Sequence, residues 1–412
     1  MKDIKINITL LLESIIAICI VLDCESIWKW TDKGGYFKFA ISLFLIISLI
    51  FLIILKMEKM KRKDFITLMF ICIYFMIFIL INMSSKFIEA IIFSIITILL
   101  FIYLVLNKKI FKIVDKISNV VMLLSIVSII FFVFGNILKL INTTDSITIY
   151  VNNLPKVCKT FFHVHYEVQR EATFNFDFYR NTGIFYEAPK YALILTSILM
   201  YEIFILNNRN YKRNILFTIT IFTTLSLTGI YAVIFIWLSY YLFKYSVLTK
   251  KGLIVRVLFF IIFIILSNKL INLFNNLLTI KSSTASYDTR IDNYISGFKA
   301  WIENPFWGAG FLNMDTIKSY YSTFRLNDIG YSNSLFRILA QGGIYLFAMY
   351  IFPLLSFCIS ALKDKKINYL LFSATFIYLF ITTSFSYNYI MIVLLCIMIY
   401  LGSFIYETKI YK

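Results

Sequence analysis

Runs of roughly twenty apolar residues recur from one end of this chain to the other, and that recurrence limits its fold more than any other feature. Such runs are expected at 4–22, 39–55, 65–82, 88–106, 117–140, 189–206, 214–228, 229–247, 253–273, 334–362, 368–384 and 389–406. A soluble domain is roughly half apolar and a quarter charged. Here 60% of 412 residues are hydrophobic, 15% are charged and the mean hydropathy is +0.82. The chain is therefore read as an all-α polytopic membrane protein, one integral membrane domain over 1–412 with about twelve transmembrane helices. The first apolar run has no small-residue cleavage site after it, so it is read as a span. Residues 214–247 would make one straight helix of about 50 Å, longer than the roughly 30 Å hydrocarbon core. A division at Thr228-Gly229 resolves this.

The formal charge of +18 fits the same class. Lys and Arg collect in cytoplasmic loops of membrane proteins, so no nucleic-acid partner is implied. Lys56 to Lys63, Lys108 to Lys112, Arg209 to Arg213, Lys244 to Arg256 and Lys363 to Lys366 all fall on one side if 214–247 crosses twice. Both termini are then expected in the cytoplasm. Two long loops, 141–188 and 274–333, lie on the opposite side; they are rich in Tyr, Phe and Trp, and are expected to fold over the bundle mouth. The six cysteines form no CxxC pair and are expected as free buried thiols, although a Cys24–Cys158 disulfide is an alternative. His163 and His165 alternate, which places both on one face of an extended segment. They have no identified co-ligands, so neither a metal nor a cofactor is expected.

Three segments carry groups suited to chemistry. "FYRNTGIFYEAPKYALIL" joins the first long loop to a span, with Arg180 and Glu187 flanking Gly183. "SYDTRIDNYISGFKAWIENPFWGAGF" spaces Arg290, Tyr294, Gly297, Phe298 and Trp301 as a short amphipathic helix on the membrane, then breaks at Pro305, Gly308 and Gly310. "NDIGYSNSLFRILAQGGIYLFAMYI" brings Asp328, Ser332 and Asn333 to the start of a span, with Arg337 one turn inside it. Charge at such depth requires a partner or a polar cavity. Each segment also has a plain reading: an interfacial aromatic belt, a surface helix, and glycines that let helices pack closely.

Together the three resemble the O-antigen polymerase and O-antigen ligase family of bacterial envelope glycosyltransferases. "RNTGIFYEAPKYA" is similar to its Arg-x-x-Gly-[Ile/Leu]-Phe-x-[Glu/Asn]-Pro pattern. "RIDNYISGFKAWIENPFWGAGF" is similar to its Arg…Trp…Pro-x-x-Gly-x-Gly signature, and "YSNSLFRILAQGGI" to the stretch opening the next helix. Ser332 stands where the ligases carry histidine, while Asn333 keeps the neighbouring asparagine. Gly229 stands where many relatives have arginine. The missing histidine favours a polymerase.

The resemblance implies a membrane-embedded glycosyltransferase fold of the C type (GT-C), metal-independent and inverting, acting at the outer face. A growing glycan would pass from undecaprenyl diphosphate to a lipid-linked repeat unit of O-antigen, capsule or a related polymer. The bilayer, a chain-length regulator and a flippase of the same pathway are the further partners it implies. Guanidinium groups suit a diphosphate leaving group, which makes Arg180, Arg290 and Arg337 candidates to bind it. Glu187, Asp292 and Asp328 are candidate bases, in that order. Asn333 is a further substrate-binding candidate. Tyr287, Tyr294, Trp301 and Trp307 are candidates to stack on sugars or to anchor in the interface. The alternatives are a ligase that attaches finished polymer, and a flippase for lipid-linked sugar. A flippase would favour polar spans and inverted repeats.

Overall fold

In hydrocarbon every backbone amide must find its partner inside its own segment, so unbroken apolar sequence folds as helix. The computed structural model describes residues 8–56, 61–82, 86–151, 154–171, 178–244, 285–325 and 330–410. Its helices in chain order are α1 (Ile8–Asp23), α2 (Gly34–Lys56), α3 (Arg62–Ile81), α4 (Phe87–Phe101), α5 (Ile110–Ile130), α6 (Ala188–Met200), α7 (Tyr211–Thr223), α8 (Leu227–Lys244), α9 (Ala285–Glu303), α10 (Asp315–Lys318), α11 (Ser334–Lys363), α12 (Ile367–Thr382) and α13 (Tyr389–Ile410). Helices α4, α5 and α6 each run on into a π-helical turn, at Ile102–Leu106, Phe131–Ile137 and Tyr201–Ile205. Among the described residues six helices are long and apolar enough to cross a membrane, and α8, α12 and the first part of α13 are shorter apolar helices. The protein is thus a mainly helical membrane protein. The expected span at 253–273 lies outside the described residues.

Burial sorts the helices. α6 is buried along its whole length apart from Pro189 and Lys190 in its first turn. It forms the centre of the bundle with α13, whose Ile390–Met398 stretch is equally enclosed. α2 and α3 keep rows of Ile, Leu and Phe exposed, as helices facing lipid do. Buried acids tie the helices together near one end. Glu202 accepts from Ser118 Oγ at 2.8 Å and pairs with Arg213, and Glu13 accepts from Tyr103 Oη at 2.9 Å and Lys112 Nζ at 3.0 Å.

Two expectations need correction, the place of one helix division and the shared face of the two histidines. The division of 214–247 falls at Thr224–Ser226, where Leu225 turns the chain with φ 50°. Gly229 lies inside α8, where an added Cβ would come within 2.8 Å of Ala192 Cβ, so it serves close packing against α6. The chain is mostly helical with few strands, consistent with an all-α membrane protein. The first long loop folds into an antiparallel sheet of β1 (Asp145–Val151), β2 (Leu154–Phe161) and β3 (His165–Glu167), with a second pair, β4 (Arg170–Glu171) and β5 (Phe178–Tyr179). Ile149, Cys158 and Tyr166 from one face of the sheet pack on Ile27. The histidines do not share a face. Phe162 and His163 take left-handed turn conformations (φ 52° and 57°), which leaves His163 exposed beside Asp145 and His165 fully buried. All six cysteines are free, Cys24 and Cys158 among them.

The glycine-rich segments interlock. α11 is broken at Gly343, whose φ of 61° no helix accommodates. The "NPFWGAG" turn after α9 docks into that break. Ile344 N donates to Pro305 O at 2.8 Å, Ala309 N to Ala340 O at 2.8 Å and Gly310 N to Gln341 O at 3.0 Å. Gly308, with φ 70°, lies so close that a Cβ there would sit 2.4 Å from Gln341 C; a Cβ on Gly343 would sit 2.3 Å from Phe306 C. The amides freed by the break are thereby satisfied by another segment, as non-helical backbone at membrane depth requires.

Candidate active site

The site forms where the sheet-bearing end of the bundle meets the first turns of α6 and α11. Glu187 is the residue before α6, with Pro189 just inside the helix, where no amide donor is needed. Lys190 follows one turn later and extends to Ser384 O in the connection between α12 and α13. Arg337, one turn into α11, reaches the same residue: its Nη1 donates to Ser384 Oγ at 3.1 Å, and the guanidinium lies 5.4 Å from the Tyr387 ring centre. Two cations from separate motifs thus converge on Ser384. Arg337 Nε is buried and has no hydrogen-bond partner among the described residues.

Acids from two directions face these cations. The short connection after α1 supplies Asp23, Glu25 and Lys29. Asp23 is a fastener: its carboxylate accepts from Lys29 Nζ at 2.6 Å and from Tyr389 N at 2.9 Å, which joins α1 to α13. Glu25 accepts from Trp30 Nε1 at 3.1 Å. Burial works against its charge, but Lys29, Lys190, Arg337 and the Trp30 bond together hold its carboxyl below the ordinary value. Glu187 goes the other way. Burial raises its carboxyl by more than Lys190 and the Tyr186 hydroxyl lower it, and the nearby Glu25 charge adds to the rise. The two acids therefore differ in character: Glu25 is a fixed anion and Glu187 a reluctant one. Glu25, Glu187, Lys190 and Arg337 are each only partly buried, and the charges of the other three act on the Glu25 and Glu187 carboxyls or their neighbours.

Arg180 borders the same acids. Its Nε donates to Thr224 O at 2.9 Å and lies 4.0 Å from Glu171, and Glu187 is within its electrostatic reach. Burial lowers its pKa from the ordinary arginine value. Arg290 is exposed on α9, where its charge acts on Tyr294 and Tyr378.

The remaining candidates are engaged in holding structure. Asp292 forms a buried ion pair with Arg325 at 3.1 Å and also binds Ser322 through N and Oγ. Arg325 is nearly inaccessible, accepted by Asn293 Oδ1 at 2.7 Å and seated 3.9 Å from the Tyr321 ring centre. Asn293 in turn donates to Ser332 Oγ at 2.9 Å, the position of the absent histidine. Asn333 caps α11 by accepting from Phe336 N at 3.0 Å. Trp301 donates its indole N–H to Pro305 O at 3.1 Å and so shapes the turn. Asp328 lies outside the described residues, as does the side chain of Tyr287.

Sequence reasoning missed Lys190, Glu25 and Arg325. Lys190 was legible one helical turn after Glu187 in "YEAPK". Glu25 belongs to "DCESIWKW", charged residues between two apolar runs, which carries the same signal as the other segments. Arg325 had no signal beyond being a charge in an aromatic loop.

Among curated proteins no match was found. Residues 214–351, a third of the chain, match the family model described as O-antigen ligase; the matched stretch spans α7 to the middle of α11, contains Arg290, Asp292, Trp301, Asn333 and Arg337, and stops short of Arg180, Glu187 and Lys190. This match accords with the motifs and the helical membrane fold, and it supports the O-antigen ligase and polymerase family for this chain.

Proposed function

We propose that the protein is a polysaccharide polymerase, a twelve-span GT-C-type transferase acting at the outer face of the bacterial inner membrane. It transfers a growing glycan from undecaprenyl diphosphate to a lipid-linked repeat unit. The observation that carries this reading is the convergence of Lys190 and Arg337 on Ser384, with Arg337 Nε unpartnered beside the unequal acids Glu25 and Glu187. A diphosphate leaving group takes on negative charge as its bond to the sugar breaks. Fixed cations in a water-poor site stabilise that charge best. In this reading the acceptor hydroxyl attacks the anomeric carbon from the side opposite the diphosphate, which inverts it. The hydroxyl proton passes to Glu187, whose raised affinity for protons suits a base working near neutrality. Arg337 and Lys190 take the diphosphate oxygens, and Arg180 contributes a further positive charge beside Glu187. With Asp292 held by Arg325, it is left out of the reaction. Arg290 is assigned to the lipid-linked acceptor, at the exposed rim.

The test is transfer in vitro with purified protein and lipid-linked repeat units as both donor and acceptor. A ladder of lengthening products is expected, and Arg337→Ala and Lys190→Ala should each abolish it while the protein still inserts and purifies normally. A ladder from both variants would overturn the leaving-group assignment. Single transfer to a separate acceptor, without a ladder, would establish the ligase reading.

A further inference from the structure

The sheet is fastened to α5 at one corner. Phe161, the last residue of β2, stacks on Phe131 with ring centres 5.5 Å apart. Gly135 leaves it room, since a Cβ there would lie 2.6 Å from the Phe161 ring. The next residue turns outward. Phe162 and His163 both hold left-handed backbone, which costs a non-glycine residue roughly 1–2 kcal/mol. The turn they make leaves Phe162 61% exposed, with Val164 exposed after it. Its amides are all satisfied within the protein: Phe162 N donates to Thr144 Oγ1 at 2.8 Å, His163 N to Thr160 Oγ1 at 3.1 Å and Val164 N to Phe161 O at 3.0 Å. A turn in water has no need of this, because water would serve those amides; a turn in lipid does.

The height of the turn follows from α5. Exposed polar residues at the far end of this helix stop at Asp115 and Asn119. Beyond them Leu123, Ile126, Ile130, Phe134 and Ile137 recur every three or four residues, all exposed, as a lipid-facing row is. The α-helix is unbroken as far as Ile130. At 1.5 Å per residue Ile130 lies about 23 Å beyond Asp115, or about 17 Å beyond Asn119, so with either as the start of the hydrocarbon it falls short of the roughly 30 Å far edge. Phe131 follows directly, and the Phe162 ring centre is 6.0 Å from its own. Phe162 therefore sits at or inside the edge of the core. Leu138 and Leu140 continue the row beside it, and Lys139, exposed between them, is placed to reach head groups.

We infer that the β2–β3 turn is a membrane anchor: Phe162 and Val164, with Leu138 and Leu140, enter the leaflet on the sheet side of the bundle. The occupant of this patch is phospholipid, because the patch continues a row that already faces lipid. The inference is independent of the transfer reaction. It bears on the site through β3, where Tyr166 N donates to Gly183 O at 3.1 Å and Tyr166 O accepts from Thr182 Oγ1 at 2.7 Å. Those two partners lie between Arg180 and Glu187, so the anchor sets the height of that segment relative to the bilayer.

The experiment uses the full chain in nanodiscs of phosphatidylcholine, plain or brominated on one acyl chain near the head group. One tryptophan is added at a time, and the emission it adds to that of the unaltered protein is read. For Phe162→Trp the bromolipid should cut the added emission about twofold or more, as expected of an indole at the membrane interface, while acrylamide in the water should change it little. Ile126→Trp, in the lipid-facing row of α5, is the positive control and should be shielded from acrylamide. Emission quenched by acrylamide and untouched by bromolipid would place the turn in water and overturn the inference. Emission shielded from both would show that protein, a second copy of this chain, covers the patch, and would overturn it equally. Val164→Trp reads the same surface from a second position, so a fold lost in one variant leaves the other to decide.

Discussion

Removing Arg325 should cost more stability than any substitution at the proposed reaction centre. The guanidinium lies between Asp292 Oδ2 at 3.1 Å and Asn293 Oδ1 at 2.7 Å, over the Tyr321 ring, with the Gly330 carbonyl as a further acceptor. Arg325→Met leaves the Asp292 carboxylate, only 5% exposed, without its counter-charge. Breaking a buried pair from one side typically costs about 3–5 kcal/mol. Asp292→Asn should fall at the lower end, because the arginine keeps its neutral acceptors. The double variant Asp292→Asn/Arg325→Met removes both charges, so the two losses should not add; a coupling of about 2 kcal/mol is expected. Thermal unfolding of purified protein in one detergent, followed by intrinsic fluorescence, would give the four values of the cycle. Losses that simply add would refute the account of this pair. The cycle also bears on mechanism. If the double variant regains stability and forms polymer, Asp292 is a fastener. If it is stable and inert, Asp292 takes part in the reaction.

Other outcomes follow from the same geometry. Activity should fall with acidification at a higher pH than an ordinary glutamate would give, because burial raises the Glu187 carboxyl and only its ionised form accepts a proton; Glu187→Gln should abolish transfer at every pH, as initial rates across a pH series would show. Gly343→Ala should destabilise by more than about 2 kcal/mol, since the left-handed backbone alone costs roughly 1–2 kcal/mol and the new Cβ meets Phe306. Gly402→Ala, where the nearest atoms stand at 3.7 Å, should be neutral or stabilising in the same melt. His165 is held neutral by burial, its pKa pushed down to about 3. The unfolded chain binds this proton near pH 6.5, so the sheet should lose stability as pH falls from about 6.5 towards 3. Hydrogen exchange in 145–167 would report the loss, and His165→Leu should flatten it.

Much of the helical frame was legible because lipid leaves the backbone few options. Runs such as 334–362 and 368–384 became α11 and α12 within two residues at each end. The division of 214–247 was legible from length and charge, but its place was not. Glycine suggested a break at 228–229, whereas helix packing against Ala192 claimed Gly229 and the turn fell on Leu225. The sheet was missed because the partners that cover its buried face, Ile27, Trp28 and Trp30, come from a segment far away in the chain. At the site, the sequence marked Glu187 and Arg337 by their depth. It could not show that Lys190 and Arg337 share Ser384, nor that Asp292 is bound to Arg325, because both facts are tertiary pairings across 33 residues or more.

The docking of the "NPFWGAG" turn into the break of α11 bears on how the protein is made. When α11 enters the bilayer, the amides around Gly343 have no partner in their own helix, and hydrocarbon offers none. Their partners, Pro305 to Gly310, precede α11 in the chain and have already left the ribosome. Biogenesis therefore has an obligatory order: the turn must be folded and waiting before the helix settles. A defect in the turn should then appear first as a failure of membrane insertion and quality control rather than as a slow enzyme.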